Sequence, residues 1–135
     1  MSARTKARKR ALDILFAADV RGEEAADLLK AEGERAELEP DRRASWIYAR
    51  EIVLGVLDNR EHIDELISTS SRDWPLERMP AVDRALLRIA VWEMRFNPEV
   101  PPAVAIDQAI EAAKEFSTED SSRFVHGVLG RISDM

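Results

Sequence analysis

Residues 82–96, with the sequence VDRALLRIAVWEMRF, form the segment that most limits how this chain can fold. Their apolar side chains recur at helical spacing and cover most sides of a helix, while Arg84 and Arg88 line a narrow polar strip. A helix that is apolar on most sides must be surrounded by other elements, so we predict that it lies at the centre of the fold. A chain of 135 residues suits one domain with a single shared core.

The N-terminal part of the chain shows helical periodicity as well. A helix over residues 1–21 is predicted, with Gly22 as its C-terminal cap. Its apolar stripe consists of Ala7, Ala11, Ile14, Leu15 and Ala18. A short second helix is predicted for residues 24–32, followed by an acidic link that ends at Pro40.

The middle of the chain is predicted to hold a further helix after this link, with Asp41 as its N-cap. Asn59 marks a break, after which the helical pattern resumes at Ile63. Residues 68–80 contain a serine-rich stretch and two prolines. We interpret them as a hinge between subdomains.

Two C-terminal helices complete the predicted fold. Prolines after the central helix start the next one, whose apolar stripe is Ile106, Ala109, Ile110, Ala113 and Phe116. The last helix has Ser117 as its predicted N-cap, with Asp120 three residues on. Its predicted core residues are Val125, Val128, Leu129 and Ile132. No run typical of a strand occurs, so the sequence predicts an all-α fold of about seven helices.

The formal net charge of −6 conceals a strong asymmetry along the chain. The first ten residues hold no acidic side chain and five basic ones, namely Arg4, Lys6, Arg8, Lys9 and Arg10. Without these five, 15 basic and 26 acidic side chains remain, a formal charge of −11. Positive potential is therefore concentrated at the N-terminus, where a polyanion would bind.

Enzymatic chemistry lacks its usual components in this sequence. The chain has no cysteine, which excludes disulfides, thiolate nucleophiles and thiolate metal sites. Two isolated histidines, His62 and His126, do not favour a zinc site. The five glycines form neither a phosphate-binding loop nor a dinucleotide fingerprint. We therefore expect no catalytic residue, no cofactor and no metal.

Neither a signal peptide nor a membrane span is predicted. The basic N-terminus leads into an amphipathic segment instead of an apolar run with a small-residue cleavage site. No stretch approaches the apolar length that is needed to cross a bilayer. A cytoplasmic protein without a membrane partner is expected.

The predicted N-terminal helix carries a basic face. Positions 6, 9, 10 and 13 share one side of the helix, away from the apolar stripe. Lys6, Lys9 and Arg10 therefore stand together, with Arg4 and Arg8 beside them. Such a face suits contacts with phosphate groups. A solvated, frayed N-terminus would have the same composition, and the residues alone leave both interpretations open.

The last helix carries a second candidate face. Outside its core stripe, positions at helical spacing hold Asp120, Arg123, Phe124, Gly127 and Arg131. An aromatic ring beside arginines, with a glycine that allows close approach, suits base stacking and phosphate contact on single-stranded RNA. Alternatively, Phe124 completes a packing contact with a neighbouring helix and Asp120 only caps its own helix.

Distinctive segments occur along the chain, namely RKRALDILF near the N-terminus, VDRALLRIAVWEM in the centre, and VPPAVAIDQAIEAAKEF followed by STEDSSRFVHGVLGRI at the C-terminus. They resemble the N-utilisation substance B (NusB) family of bacterial transcription antitermination factors. The resemblance covers nearly the whole chain and is weakest from Glu23 to Pro40. It implies a single helical RNA-binding domain over residues 1–135, with seven helices in two halves that each resemble a three-helix bundle.

The resemblance also implies a function. Members of the family bind the boxA element of nascent RNA together with NusE, a small-subunit ribosomal protein that is also a transcription factor. The pair joins the elongating RNA polymerase complex and suppresses termination, notably in ribosomal RNA operons. For this chain, the implied partners are boxA-type single-stranded RNA, NusE and, indirectly, the elongating RNA polymerase complex.

The family's contact residues fall on both faces described above. They imply RNA-binding roles for Arg4, Lys6, Arg8, Lys9, Arg10, Asp120, Arg123 and Phe124. In the predicted RNA site the first face supplies charge and the second supplies stacking. The resemblance further implies NusE contacts at Phe16, where the family commonly has tyrosine, and at the acidic residue Asp83. The chain departs from the family at His126, where asparagine is common, and at Ser117, where a glycine often closes the preceding helix.

Other functions remain open on the sequence alone. The acidic faces could bind protein partners while the basic end has no binding role. Salt-dependent RNA binding discriminates between such a protein-binding module and an RNA-binding factor. A relationship to the NusB-like domain of some RNA methyltransferases is disfavoured, because the chain has no glycine-rich cofactor loop. The sequence also leaves open a monomer or a homodimer, and a dimer formed through the basic helix would mask the RNA site.

Overall fold

The computed structural model describes residues 2–72 and 74–135. Within these residues the protein forms seven α-helices and two short 3-10 helices, and no β-strand. The α-helices are, in chain order, α1 (Ala3–Arg21), α2 (Ala25–Leu38), α3 (Arg43–Asp58), α4 (Arg60–Ser70), α5 (Ala81–Phe96), α6 (Pro102–Phe116) and α7 (Glu119–Ser133). The prediction of an all-α fold with about seven helices is confirmed.

The chain divides into two compact units, the first ending at Leu54 and the second running from Gly55 to Met135. The boundary lies within α3. The segment 68–80, which we interpreted as a hinge, lies inside the second unit, where its first residues end α4 and Leu76–Arg78 form a 3-10 helix. Its role as a hinge stays a prediction.

The first unit begins with α1, whose ends follow from its sequence. The Ser2 hydroxyl accepts a hydrogen bond from the Thr5 backbone N–H over 3.1 Å, which caps the helix. Gly22 ends the helix in the left-handed conformation, with φ of 66°, as its predicted role as a cap requires. The buried residues of α1 are Ala7, Ala11, Leu12, Ile14 and Leu15.

The boundaries of α2 and α3 differ from the prediction. α2 continues to Leu38 because the acidic segment after residue 32 consists mostly of strong helix formers and buries Ala36. The prediction of Asp41 as the N-cap of α3 is wrong, because Asp41 lies within the 3-10 helix Pro40–Arg42 and α3 begins at Arg43. Pro40 favours that early turn, since its fixed φ suits the first position of a helix.

In the second unit, α5 occupies the central position that its sequence predicts. It contacts α4, α6 and α7, and ten of its sixteen residues are buried. Full burial of an aliphatic side chain such as Leu87 or Val91 contributes about 1.5–3 kcal/mol. Gly55 makes room for Trp92, because a Cβ atom there would lie only 1.9 Å from the indole Nε1.

The polar strip of α5 binds neighbouring elements of the second unit. Arg88 forms a two-pronged ion pair with Asp64 of α4, with Nε–Oδ1 and Nη2–Oδ2 distances of 2.9 and 3.1 Å. Nη1 of Arg84 donates to the carbonyls of Leu76 and Met79, each over 3.0 Å. Both arginines therefore stabilise the fold. Removal of Asp64 would leave the buried Arg88 charge without its carboxylate, whereas Asp64 also pairs with Arg60 over 3.3 Å.

The helices α6 and α7 pack against each other and against α5. α7 buries Val125, Val128, Leu129 and Ile132 as predicted. In α6 Ala109 and Ala113 of the predicted stripe are buried, together with Ala105. Ile106 and Ile110 of the predicted stripe are half-buried, and Phe116 is exposed. The small alanine side chains form the contact line because they let neighbouring helices approach closely.

Among the residues that the structure describes, no helix is long and apolar enough to cross a bilayer. Nor does this part of the chain hold a group of three or more histidine, cysteine or acidic side chains placed to bind a metal ion.

Candidate nucleic-acid interface

The five predicted basic residues all lie in the first two turns of α1. The first turn contains no acidic residue. These cations therefore stand at the helix end that the backbone dipoles make positive, an arrangement that costs roughly 0.3–1 kcal/mol for a charge in the first turn. The same arrangement strengthens the positive potential at this end, so a bound anion would be stabilised by both the side chains and the helix.

Two of the arginines are oriented by other elements of the first unit. The guanidinium carbon of Arg4 lies 4.9 Å from the ring centroid of Tyr48 in α3, a cation–π contact. Nε of Arg10 donates to Oγ of Ser45 over 2.9 Å, and its Nη1 lies 3.9 Å from Oε2 of Glu32. Arg4 and Arg10 thus contribute to the fold as well as to the surface charge.

The two lysines differ in their accessibility. Lys6 is exposed, and its side chain makes no hydrogen bond or ion pair with the described residues. Nζ of Lys9 lies 2.6 Å from Asp13, one turn further along, and the lysine side chain is 40% exposed. An exposed pair of this spacing contributes only about 0.3–0.5 kcal/mol, so a phosphate can compete for Lys9 at little cost. Arg8, the fifth basic residue, is half-buried.

The cap of α7 lies one residue beyond the predicted one. Oγ1 of Thr118 accepts a hydrogen bond from the Ser121 backbone N–H over 3.0 Å. The prediction of Ser117 as the N-cap is wrong, because its backbone N–H still donates to the Ala113 carbonyl and so completes α6. Thr118 is the residue with the extended backbone that an N-cap requires, with φ of −124° and ψ of 166°.

The face of α7 outside its core stripe lies at the surface, as predicted. Asp120 and Arg123 are exposed, while Phe124, Gly127 and Arg131 are half-buried. The four core residues of the same helix are fully buried. The separation of α7 into a core stripe and a surface stripe is therefore confirmed.

Arg123 stands beside two carboxylates of the first turn of α7. Its Nη2 lies 3.7 Å from Oδ1 of Asp120 and 3.9 Å from Oε2 of Glu119, and its side chain is 74% exposed. Ion pairs at this exposure are weak, so Arg123 can exchange them for a phosphate. Asp120 and Glu119 also stabilise the start of the helix, where the dipole favours negative charge.

Phe124 packs against an aromatic residue of a loop. The ring centroids of Phe124 and Trp74 are 5.3 Å apart and the ring planes meet at 78°, an edge-to-face contact. Trp74 lies between α4 and the 3-10 helix Leu76–Arg78 and is 41% exposed. The ring of Phe124 is therefore part of a surface aromatic pair.

The side chain of Arg131 passes beside Gly127 and bonds to α4. A Cβ atom at Gly127 would lie 3.5 Å from Nη1 of Arg131, an ordinary van der Waals distance, so the position of Arg131 does not require a glycine there. Nε of Arg131 donates over 2.6 Å to the carbonyl of Ser70, the last residue of α4. Carbonyls in the last turn of a helix have no partner within the helix, so this bond satisfies one of them.

The two predicted NusE contacts differ in their exposure. Phe16 of α1 is 36% exposed and available to a partner. Asp83 is 0% exposed, and neither of its carboxylate oxygens has a hydrogen-bond partner among the described residues. Because the side chain of Asp83 is fully buried, a partner cannot touch it in this conformation. The geometry supports Phe16 and does not support Asp83 as a contact.

Two aromatic residues outside the predicted site contact residues that belong to it. Tyr48 lies beside Arg4, and Trp74 lies against Phe124. Tyr48 belongs to a helical pattern that carries no sign of a cation–π contact. For Trp74 a signal exists, since a single tryptophan in a segment of serines and prolines has no helical stripe to join.

Known proteins resemble this chain over almost its full length. The model of the NusB family matches residues 5–134. The transcription antitermination protein NusB of Leifsonia xyli subsp. xyli (strain CTCB07) is 62% identical over 133 residues, which cover 98% of this chain and 92% of that protein. The corresponding protein of Clavibacter sepedonicus is 56% identical over 133 residues, which cover 98% of this chain and 97% of the relative.

Solved structures show the same likeness. T. maritima NusB has a TM-score of 0.84 and 36% sequence identity, covering 97% of this chain and 90% of that chain. A chain in the crystal structure of the antitermination factors NusB and NusE in complex with dsRNA has a TM-score of 0.85 and 28% identity, covering 99% and 98%. Since its family model, its sequence relatives and its structural neighbours agree, this chain belongs to the NusB family.

Proposed function

We propose that this protein is a transcription antitermination factor that binds boxA-type single-stranded RNA together with NusE. It promotes processive transcription, notably of ribosomal RNA operons, and contacts the elongating RNA polymerase complex indirectly. It acts in the cytoplasm as an adaptor without catalytic activity. The observation that carries the proposal is the cluster of five cations in the first two turns of α1, in a chain of the NusB family.

The charge distribution supports a polyanion as the ligand of α1. The chain as a whole carries a formal charge of −6, yet its cations are concentrated at a positive helix end. Such a cluster disfavours folding through self-repulsion and through the helix dipole, and a phosphate backbone offsets both effects. Binding also releases counterions from the RNA, which makes the affinity depend on salt.

The surface of α7 supports recognition of unpaired bases. Its face combines the exposed guanidinium of Arg123 with the aromatic ring of Phe124. Bases within a duplex already stack on each other, so an aromatic side chain reaches a base only in a single strand, loop or bulge. Because one structural neighbour contains dsRNA, the test compares both forms of the ligand.

Phe16 is the residue that supports a contact with NusE. Its ring is exposed on α1 and has no hydroxyl, so the contact is apolar. Two proteins that bind adjacent parts of one RNA strand, and also bind each other, strengthen each other's RNA binding. NusE is therefore expected to increase the RNA affinity of this protein.

The test measures binding of fluorescently labelled boxA RNA by anisotropy over a series of salt concentrations, with and without NusE. If about three cations of α1 neutralise phosphates, log affinity falls against log salt with a slope of roughly −2 for a single strand. NusE is expected to raise the affinity. A hairpin that pairs the boxA bases is expected to bind more weakly than the free strand, and an unrelated strand of equal length is the control.

Each arm of this experiment has an outcome that contradicts the proposal. Equal affinity with and without NusE contradicts the adaptor function. Absence of salt-dependent RNA binding contradicts the role of the α1 cations and leaves a helical protein-interaction module as the function. Light scattering of the same solutions, with and without RNA, shows whether a homodimer forms and whether RNA dissociates it.

A further inference from the structure

Trp74 leaves much of a large apolar side chain in contact with water. It is 41% exposed, whereas Trp92 is 8% exposed and Trp46 is half-buried. Burial of apolar surface contributes about 25 cal/mol per Å², so an indole that stays this exposed forgoes part of that stabilisation. The packing of the fold alone does not explain its position.

The backbone from Trp74 to Leu76 is nevertheless restrained. Oγ of Ser71 donates to the carbonyl of Trp74 over 2.6 Å. Pro75 follows, and a residue that precedes proline is restricted to extended backbone conformations. Beyond it, the Leu76 carbonyl accepts a hydrogen bond from Nη1 of Arg84 over 3.0 Å. A ring that is exposed but already positioned loses less conformational entropy when it binds a ligand.

Trp74 and Phe124 form an edge-to-face pair that is partly exposed at the surface. Their planes meet at 78°. In such a pair one ring touches the other only with its rim, so the contact covers neither face of that ring and only one face of the other. Nucleic-acid bases stack on such faces. Two rings at this angle would accept bases that point in different directions, as the bases of an unpaired strand can.

Two arginines belong to the surface face of α7 that carries Phe124. Arg123 precedes Phe124 in the chain and is 74% exposed. Arg131 lies on the same face of α7, two turns beyond Phe124, and is bonded to the Ser70 carbonyl, four residues before Trp74. Cations next to exposed rings match a ligand that presents bases and phosphates in alternation. A purely apolar partner would bury these charges without compensation.

We propose that Trp74 is a second base-stacking residue of the RNA interface, which forms with Phe124 a platform for two unpaired bases. This inference rests on the proposed RNA-binding function and extends it to the segment between α4 and α5. The ligand is single-stranded RNA, and Trp74 contacts a base through its exposed indole.

The first measurement is the affinity of the full-length protein for single-stranded boxA RNA. Trp74→Ala is expected to lower it about 5- to 150-fold, the range for loss of one stacked base. Trp74→Phe is expected to lower it less, because a phenyl ring still stacks. Phe96→Ala is the matched control, since Phe96 is 36% exposed and makes a similar edge contact with His62, at 6.0 Å and 84°. The control is expected to bind RNA as the parent does.

The second measurement follows tryptophan fluorescence while RNA is added. A base stacked on Trp74 quenches its emission, so the parent is expected to lose more fluorescence than Trp74→Phe, which keeps only Trp46 and Trp92. A residue with a merely structural role would not produce this difference. If Trp74→Ala does not fold, the inference is tested by comparing the fluorescence quenching of the parent with that of Trp74→Phe. This variant is suitable because phenylalanine retains an aromatic contact with Phe124.

The outcomes separate this inference from the proposed function. A parent protein that does not bind RNA overturns both. A folded Trp74→Ala variant with the parent's affinity overturns only the role of Trp74. Weaker binding of NusE with unchanged binding of RNA identifies the aromatic pair as a protein-docking surface and overturns the inference. Equal quenching in the parent and in Trp74→Phe shows that no base stacks on Trp74, and overturns it as well.

Discussion

The two candidate RNA-binding faces contain different chemical groups. The first two turns of α1 present five cations and no carboxylate. The face of α7 has one highly exposed arginine, two carboxylates within 4 Å of it, and an aromatic ring paired with Trp74. The α1 face can attract any polyanion. The α7 face carries little net charge, so its binding depends on a base that stacks on the aromatic ring.

This difference makes the two contributions separable by salt. Attraction between charges is screened beyond about 8 Å at physiological ionic strength and weakens as salt is added. Stacking acts at contact distance and depends on apolar surface and ring geometry. A substitution in α1 should therefore change the salt dependence of RNA binding, while a substitution in α7 should change the affinity at every salt concentration.

The faces also differ in how far they contribute to the fold. Arg4 lies over Tyr48 and Arg10 donates to Ser45, so the arginines of α1 support the first unit while they supply charge. In α7 the exposed Arg123 bonds only with residues of its own helix turn, and a separate buried stripe holds the helix in place. Variants that test charge alone should therefore change lysines in α1, and not Arg10.

The largest expected effect comes from Phe124→Ala. Loss of one stacking ring is expected to lower RNA affinity by about 1–3 kcal/mol, or roughly 5- to 150-fold. The slope of log affinity against log salt should stay within error of the parent's, because no cation is removed. Anisotropy titrations of single-stranded boxA RNA at several salt concentrations measure both quantities.

The control for this variant is Phe124→Leu, which keeps apolar bulk against Trp74 but removes the aromatic face. Circular dichroism and thermal unfolding must show that both variants remain folded, since an aromatic core residue replaced by alanine would destabilise the protein by about 3–5 kcal/mol. If folded Phe124→Ala binds RNA with the parent's affinity, the stacking role of Phe124 is wrong.

Much of the fold was predictable because its strongest signals are local. α1 ends where Gly22 allows a left-handed residue, and α5 is buried because its apolar residues cover most of its surface. The helix boundaries were predicted wrongly where more than one residue near a helix start is suited to cap it. Ser117, Thr118 and Asp41 are all good caps, and only the hydrogen bonds of the folded chain decide which of them is used.

The candidate site was predictable only where its residues share one helix. The cations of α1 and the surface stripe of α7 follow from helical spacing. The contacts of Trp74 with Phe124 and of Arg4 with Tyr48 join positions that are far apart in the sequence. The burial of Asp83 could not be predicted either, because a carboxylate near a helix start is ordinarily exposed and favoured by the dipole.

A smaller effect, but a more specific one, is expected when the lysines of α1 lose their charge. The double variant Lys6→Gln, Lys9→Gln removes two phosphate contacts, so the salt slope should become less steep by about 1.4 and the affinity at low salt should fall roughly tenfold. Lys30→Gln is the matched control, because Lys30 is an exposed lysine of α2 in the same unit. Its slope should equal the parent's, and an unchanged slope in the double variant would exclude the two lysines from the RNA contact.

The smallest expected effect tests whether Lys9 reaches RNA by leaving its partner. Asp13→Asn removes the carboxylate 2.6 Å from Lys9 Nζ, so RNA no longer competes with an ion pair worth about 0.3–0.5 kcal/mol, and affinity should rise about twofold. Glu111→Gln is the control, because it removes an equal charge from the exposed Glu111–Lys114 pair of α6 and should leave the affinity unchanged.

Removal of any carboxylate near RNA also lowers the repulsion between the protein and the RNA. Asp13→Asn must therefore also be measured in a protein that carries Lys9→Gln. If Asp13 acts through Lys9, Asp13→Asn should have no effect in that background, and the two substitutions are coupled. If Asp13→Asn raises affinity equally in both backgrounds, Lys9 keeps its ion pair in the complex. Phosphate contact would then fall to Lys6 and the arginines, and fewer than five cations of α1 would bind the RNA.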